Sequence, residues 1–156
     1  MAVKRTIPKG GTMKATTTKQ FGDACEMLVV AKLTLNGMPT MKLPDTWPGY
    51  DLIAQPADRA PQRISVKGTR RQWDGAYIRY HLGEHDFDWV AVVMIDGDNS
   101  ELIYIVPRAA FESAAGRSTA TKDGRVQVYM PQHRFKSLFA DYASNWRLEV
   151  EKKKPT

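Results

Sequence analysis

Cysteine is nearly absent from this sequence of 156 residues, which contains only Cys25. A single thiol excludes an internal disulfide and any zinc site built from cysteines. Its place within an apolar helical pattern predicts a buried, inert side chain, and such a thiol suits a reducing cytosol. We therefore expect a cytoplasmic protein.

Long apolar runs and several common catalytic motifs are also missing. The longest apolar run covers residues 89–95, which is too short to cross a bilayer, so we expect no membrane association. The sequence has no glycine-rich phosphate loop, no Gly-x-Ser-x-Gly elbow and no Cys–His pair in a distinctive context. These absences argue against the corresponding nucleotide-binding and nucleophilic enzymes.

Positive charge is abundant by contrast. The formal net charge is +6 and the sequence pI is about 9.5, which favours polyanionic partners such as nucleic acids. Basic residues are concentrated in residues 1–16, an expected N-terminal arm, and in residues 151–156, an expected C-terminal tail. Each segment is either a solvated, frayed end or an arm that contacts phosphates.

The remaining chain, residues 17–150, is long enough for one sizeable core, and we expect a single domain there. Apolar spacing predicts helices and strands in a mixed order. The first helix is expected to begin at a cap formed by Thr17 or Thr18 and to include Phe21, Cys25, Leu28, Ala31 and Leu35 on its apolar face. Two further helices are expected at residues 109–115 and 135–146, and the strands at 40–43, 50–55, 62–67, 76–82, 89–95, 101–106 and 125–130. This order predicts an α/β or α+β fold with a mixed β-sheet flanked by helices.

Two neighbouring strands carry residues that could perform chemistry. Asp51 begins the apolar segment Asp-Leu-Ile-Ala, next to a Pro-Gly-Tyr turn. In the next strand, alternation places Ile64 and Val66 on one face and Ser65 and Lys67 on the other. A carboxylate that binds Mg²⁺, close to an ammonium group that assists water, is the combination needed for phosphodiester hydrolysis.

These motifs resemble the PD-(D/E)XK nuclease superfamily, which includes restriction enzymes, homing endonucleases and junction resolvases. Asp51 in PGYDLIA resembles the aspartate of that pattern, and Lys67 in ISVKGT resembles its lysine. Glu26 in FGDACEMLVVAKL resembles the glutamate that many members carry on the first helix. Ser65 stands at the position of the second acid, where some members also have a neutral residue.

The resemblance implies a restriction-endonuclease-like core and an endonuclease that hydrolyses DNA with Mg²⁺ or Mn²⁺. Glu26 and Asp51 would hold the metal, Lys67 would assist the attacking water, and Ser65 would be a supporting ligand or hydrogen-bonding group. A homodimer is one arrangement that would present two sites to the two DNA strands. Ser65 also supports an alternative, a catalytically inactive nuclease fold that binds nucleic acid or a partner subunit. A third interpretation is a structural or regulatory protein whose basic surface is incidental.

A basic and aromatic segment follows the predicted lysine strand. Arginine binds phosphate in a bidentate manner, and aromatic rings stack on bases, so we expect this segment to contact DNA. The predicted contact residues are Arg63, Arg70, Arg71, Trp73, Tyr77 and Arg79. The alternative is an exposed hairpin whose aromatic side chains complete the core.

Overall fold

The computed structural model describes residues 15–70, 76–83 and 86–151. The helices are α1 (Thr18–Leu35), α2 (Arg108–Ala114) and α3 (Phe135–Leu138), with short 3₁₀ turns at Gln132–Arg134 and Ala140–Tyr142. The strands are β1 (Thr40–Lys42), β2 (Leu52–Ala54), β3 (Gln62–Arg70), β4 (Tyr77–His81), β5 (Trp89–Ile95), β6 (Glu101–Pro107), β7 (Gly116–Arg117) and β8 (Gln127–Pro131). Most of the expected arm and tail, residues 1–14 and 152–156, lies outside the described residues.

Helix α1 begins with a capping box. The Thr17 hydroxyl accepts the Gln20 backbone N–H at 3.1 Å, and the Gln20 side chain accepts the Thr17 backbone N–H at 3.0 Å. Each interaction satisfies a donor that the first helical turn leaves free. Cys25, Val29 and Leu33 recur every four residues and are buried against the sheet. Among the described residues, no helix is long and apolar enough to span a membrane.

The main sheet has five strands in the order β1-β2-β3-β5-β6. Strands β3 and β5 are parallel, and the other neighbouring pairs are antiparallel. Strand β5 is buried along its whole length, because helices and a second sheet cover both of its faces. The mixed sheet expected from the order of elements is therefore present.

The two faces of this sheet support two different apolar clusters. On one face, alternate residues of β3 and β5, including Ile64, Val66 and Ala91, pack with α1. On the other face, Val90 and Val92 pack with α2, α3 and the small sheet β4-β8-β7. Strand alternation consequently assigns each β3 side chain to one face or the other.

Gly68 allows α1 to approach β3 closely. A Cβ atom on this residue would lie 2.5 Å from the Cys25 Sγ and 3.0 Å from Cε1 of Phe21. No real Cβ tolerates the first distance, so a larger residue would have to push the helix outward. The absence of a side chain at Gly68 thus sets how close α1, and the acid it carries, lies to the sheet.

The predicted helix over residues 135–146 is wrong beyond its first turn. Helix α3 ends at Leu138, and after the 3₁₀ turn Ala143 forms a β-bridge with Tyr104 of β6. The Ser144 backbone N–H then donates to the Ile103 carbonyl at 2.8 Å. Hydrogen bonds to the edge of the sheet replace those of a longer helix, and local periodicity could not reveal that competition.

Substitution of Gly68 by alanine should lower the free energy of unfolding by about 1–3 kcal/mol, the usual cost of overpacking a core. Gly22→Ala is the matched control, because a Cβ there meets nothing within 4 Å and alanine favours a helix. Chemical denaturation of both variants measures the effect. Equal stability of Gly68→Ala and the wild type would contradict the close approach.

Candidate functional site

A gap opens in the main sheet where β2 begins. Strand β2 starts at Leu52, opposite Ile64, whereas β3 continues to Arg70. The Val66 backbone N–H therefore has no partner on β2, and the Asp51 carboxylate accepts it instead, with Oδ2 at 2.7 Å. We call this gap, bounded by Asp51 and Val66, the notch.

The backbone of Asp51 is held on both sides. Its N–H donates to the Ile64 carbonyl at 3.0 Å, and its carbonyl accepts the Leu43 N–H at 2.9 Å. These bonds join the residue to β3 and to the segment after β1. Because backbone and side chain are both restrained, the carboxylate is preorganised at the edge of the sheet.

Glu26 approaches the notch from α1, with only 18% of its side chain exposed. Burial raises the pKa of its carboxyl above the usual value, and the negative charge of Asp51 raises this pKa further. Lys42 opposes the shift through an ion pair. The two predicted metal ligands, Glu26 and Asp51, are therefore close enough to interact electrostatically.

Lys42 is a site residue that the sequence prediction missed. Its ammonium lies 3.1 Å from Glu26 Oε2 and also contacts the carboxylates of Asp23 and Asp45. Lys19 pairs with the same two aspartates at 3.0 and 2.7 Å. The spacing of Lys19, Asp23 and Glu26 on one helical face was the available signal for a charged cluster.

Carboxylate oxygens of Asp23, Glu26 and Asp45 lie within 4.8 Å of one another. Lys19 lowers the pKa values of Asp23 and Asp45, so both carboxyls stay ionised and paired with ammonium groups. The positive charges that neutralise this acidic cluster are thus the ammonium groups of Lys19 and Lys42.

Ser65 and Lys67 lie on the sheet face opposite α1. Their neighbours Ile64 and Val66 pack against the helix, so alternation directs Ser65 and Lys67 the other way. Ser65 is only 4% exposed, whereas Lys67 is partly exposed. Within the described ranges, no carboxylate forms an ion pair with Lys67. The charges of Glu26 and Asp51 thus influence each other, whereas Lys67 follows Val66 on β3 and lies on the face opposite α1.

Two of the predicted DNA-contact arginines have partners within the protein. Arg63 pairs with Asp86 and forms a bidentate interaction with Asp88, at 3.1 and 2.9 Å. The Arg70 guanidinium lies 4.7 Å from the centre of the Phe21 ring. Arg71 and Trp73 lie outside the described residues, so their predicted role is untested.

Tyr77 and Arg79 are on the outer face of β4. Tyr77 is 50% exposed and stands edge-on to Tyr129, while Arg79 pairs in register with Tyr129. Tyr80, by contrast, is buried against Phe87 and completes the core. One strand thus combines the two interpretations of this segment, and its outer face is both basic and aromatic.

A cavity of about 770 Å³ lies elsewhere, beyond the C-terminal end of α1. Its lining includes Asn36, Met38, Arg59 and Leu148, and it contains none of the predicted site residues. The group of acids in the described residues that could hold a metal ion, Asp23, Glu26 and Asp45, does not line this cavity. The notch lies at an open edge, which an extended polymer can reach without a deep pocket.

No protein-family model and no curated protein matches the chain. Solved structures are similar in fold. The bacterial homing endonuclease I-Ssp6803I has a TM-score of 0.55 and 18% identity, with 86% of this chain and 91% of that chain covered. The Holliday junction resolvase Hjc of Archaeoglobus fulgidus has a TM-score of 0.45 and 11% identity, with 73% and 90% covered.

At 18% identity, the likeness to the homing endonuclease concerns the fold alone. The chain therefore has the fold expected from its sequence, a mixed sheet flanked by helices, and the homing endonuclease has a similar one.

Replacement of Asp51 by asparagine tests the proximity of the two carboxylates. Asparagine retains an oxygen that accepts the Val66 N–H but removes the negative charge. The pKa of Glu26 should therefore fall, because one of the influences that raise it is lost. A ¹³C NMR titration of the Glu26 carboxyl measures the change. Asp58→Asn, on an exposed side chain paired with Arg59, is the control. An unchanged Glu26 pKa in Asp51→Asn would show that the carboxylates do not interact.

Proposed function

We propose that this protein is a divalent-metal-dependent endonuclease that hydrolyses phosphodiester bonds in DNA. The observation that carries the proposal is that the Asp51 carboxylate is held at the notch, on the edge of the strand that bears Lys67, and that its charge acts on the largely buried Glu26 of α1. The restriction-endonuclease-like fold supports it, since the homing endonuclease I-Ssp6803I has a similar one.

The donor set fits a small hard cation. Mg²⁺ and Mn²⁺ prefer oxygen ligands, and Glu26 and Asp51 offer carboxylates from two rigid elements, a helix and a strand end. Asp51 can hold the Val66 N–H with one oxygen and still offer the other, because a carboxylate accepts several interactions. A metal bound by these two residues would polarise the phosphate and acidify a bound water.

The protein supplies positioning and charge around that chemistry. The backbone bonds of Asp51 fix its carboxylate before substrate arrives, which lowers the reorganisation that the reaction requires. Burial of Glu26 beside Asp51 concentrates negative charge that a divalent cation relieves. Lys67 follows Val66 on β3, on the face opposite α1, and we assign its ammonium to orienting the attacking water at the edge of the sheet.

DNA is the proposed substrate because the chain has a formal net charge of +6 and an outer β4 surface with Tyr77 and Arg79. Basic side chains neutralise phosphates, and an exposed tyrosine can stack on a base. Arg63 and Arg70 have a second role as internal partners of Asp88 and Phe21.

Cleavage of both strands by one small protein would be served by a homodimer. A cytoplasmic location suits the buried Cys25 thiol, whose pKa burial raises to about 11.

A second candidate function is a nuclease fold that binds nucleic acid or a partner subunit without cleaving. Ser65 favours it, since this residue is buried and replaces a carboxylate with a weak hydroxyl ligand. The site then has one acid fewer than the usual pattern, and Glu26 must compensate for the missing charge.

Incubation with plasmid and with single-stranded DNA, in the presence of Mg²⁺ or Mn²⁺, tests the catalytic proposal. Wild-type protein should cleave. Asp51→Asn and Lys67→Ala should each lower the rate by roughly 10²-fold or more, a scale typical of losing one positioned catalytic group. Asp58→Asn and Lys136→Ala are matched controls, because they alter an exposed acid and an exposed lysine elsewhere. Cleavage that persists unchanged in the site variants would contradict the proposal.

Substitution of Ser65 by glutamate separates the two candidate functions. Glutamate restores the missing acid, although a carboxylate at a residue only 4% exposed should lower stability. Ser65→Gln is the control of equal size without charge. Metal-dependent cleavage by Ser65→Glu alone, with none by the wild type, would establish the inactive nuclease fold. Cleavage by the wild type would contradict that candidate.

A further inference from the structure

The carboxylate of Glu26 already holds a cation, the ammonium of Lys42. The distance from Lys42 Nζ to Glu26 Oε2 is 3.1 Å. Both groups are largely shielded, with 31% and 18% of the side chains exposed, so the pair is screened less than a surface salt bridge. A cation that approaches Glu26 must compete with this ammonium.

Lys42 is placed there by the sheet and is not a freely moving surface lysine. It ends β1 and pairs in register with Leu52, the residue after Asp51. The next residue, Leu43, donates its backbone N–H to the Asp51 carbonyl at 2.9 Å. The same backbone interactions thus fix Asp51 and the strand that delivers the ammonium to Glu26.

A second set of acceptors lies within reach of the same ammonium. Lys42 Nζ is 3.3 Å from Asp23 Oδ1 and 3.6 Å from Asp45 Oδ1. Small rotations of the side chain would strengthen these contacts while the contact with Glu26 lengthens. Lys42 can consequently leave Glu26 without losing its charge partners.

The charges of the cluster match an exchange with a divalent ion. Three carboxylates, those of Asp23, Glu26 and Asp45, pair with two ammonium groups, those of Lys19 and Lys42. Asp51 adds a fourth negative charge, which acts on Glu26. Two negative charges are left in excess. With Lys42 moved towards the aspartates, this excess is available to Glu26 and Asp51.

We propose that Lys42 is an internal competitor for the metal site, which occupies Glu26 in the metal-free protein and shifts onto Asp23 and Asp45 when a divalent cation binds. The inference rests on the proposed function for the identity of Glu26 as a metal ligand. It adds a positioning residue that sets metal affinity. Lys42 weakens binding and so raises the metal concentration at which the site fills.

Binding of Mn²⁺ to the full chain without DNA tests this inference, with free Mn²⁺ followed by electron paramagnetic resonance. Lys42→Met keeps the length of the side chain but removes its charge. It should bind Mn²⁺ about 3- to 10-fold tighter, the range expected when a partly screened ion pair is removed. Lys42→Gln should shift binding in the same direction, and thermal melts establish that both variants are folded.

Lys32→Met is the matched control. Lys32, in the last turn of α1, is also paired with a glutamate at 3.1 Å, but its partner is Glu101 at the start of β6. This variant should bind Mn²⁺ like the wild type. Glu26→Gln should weaken Mn²⁺ binding. In this background, Lys42→Met should change the Mn²⁺ affinity little, because the ammonium and the metal would no longer compete for one carboxylate.

Asp45→Asn separates exchange from a general effect of charge. In the wild type it should weaken Mn²⁺ binding, because Lys42 loses one of its alternative partners. In the Lys42→Met background its effect should be smaller, whereas a purely long-range effect of the lost charge would be equal in both backgrounds.

Equal or weaker Mn²⁺ binding by both folded Lys42 variants would overturn the inference, as would an absence of Mn²⁺ binding in wild type and variants alike. Failure of the nuclease proposal would give a different combination of Mn²⁺ binding and DNA cleavage. Tighter binding by Lys42→Met without any DNA cleavage would uphold the competition and reject the enzyme. Cleavage by a wild type whose metal affinity ignores Lys42 would do the reverse.

Discussion

The hydrogen bond from the Val66 backbone N–H to the Asp51 carboxylate is the interaction on which the site depends. It fills the position on β3 that β2 leaves empty, at a donor–acceptor distance of 2.7 Å. An unpaired backbone donor beside a buried strand would be costly, so the fold itself favours an acceptor at residue 51. The carboxylate that completes the sheet is thereby held at its edge, where it can also meet a ligand.

Glu26 shows how packing and charge are joined at this site. Gly68 lets α1 approach β3 closely, and the helix carries a partly buried acid towards Asp51. Two neighbouring carboxylates in such a place repel each other unless cations compensate them. Lys42 and, further out, Lys19 supply that compensation from the chain itself. The negative charge of the acidic cluster is therefore partly neutralised by lysines, so less of it is available to an added cation than the number of carboxylates suggests.

Among the described residues, two of the arginines predicted to contact DNA have partners within the protein. Arg63 is occupied by Asp86 and Asp88, and Arg70 covers the Phe21 ring. These interactions attach the start and end of β3 to neighbouring parts of the fold. Tyr77 and Arg79, on the outer face of β4, are turned away from the core. Arginines in a motif-rich segment can thus have structural roles that leave only part of the segment for a ligand.

The sequence by itself determined the local elements and the chemistry that they carry. Three elements were predictable because their signals depend on residues close in the sequence. These are α1, with its capping box and an apolar residue at every fourth position, β3, with its alternation, and β5, with its apolar run. Glu26, Asp51 and Lys67 could be named from short motifs for the same reason. Only the tertiary structure decided that Lys42 pairs with Glu26, that Lys67 leaves β3 on the face opposite α1, and that the chain after Leu138 joins β6. Those outcomes depend on sheet register and on contacts between residues distant in the chain, which local patterns do not encode.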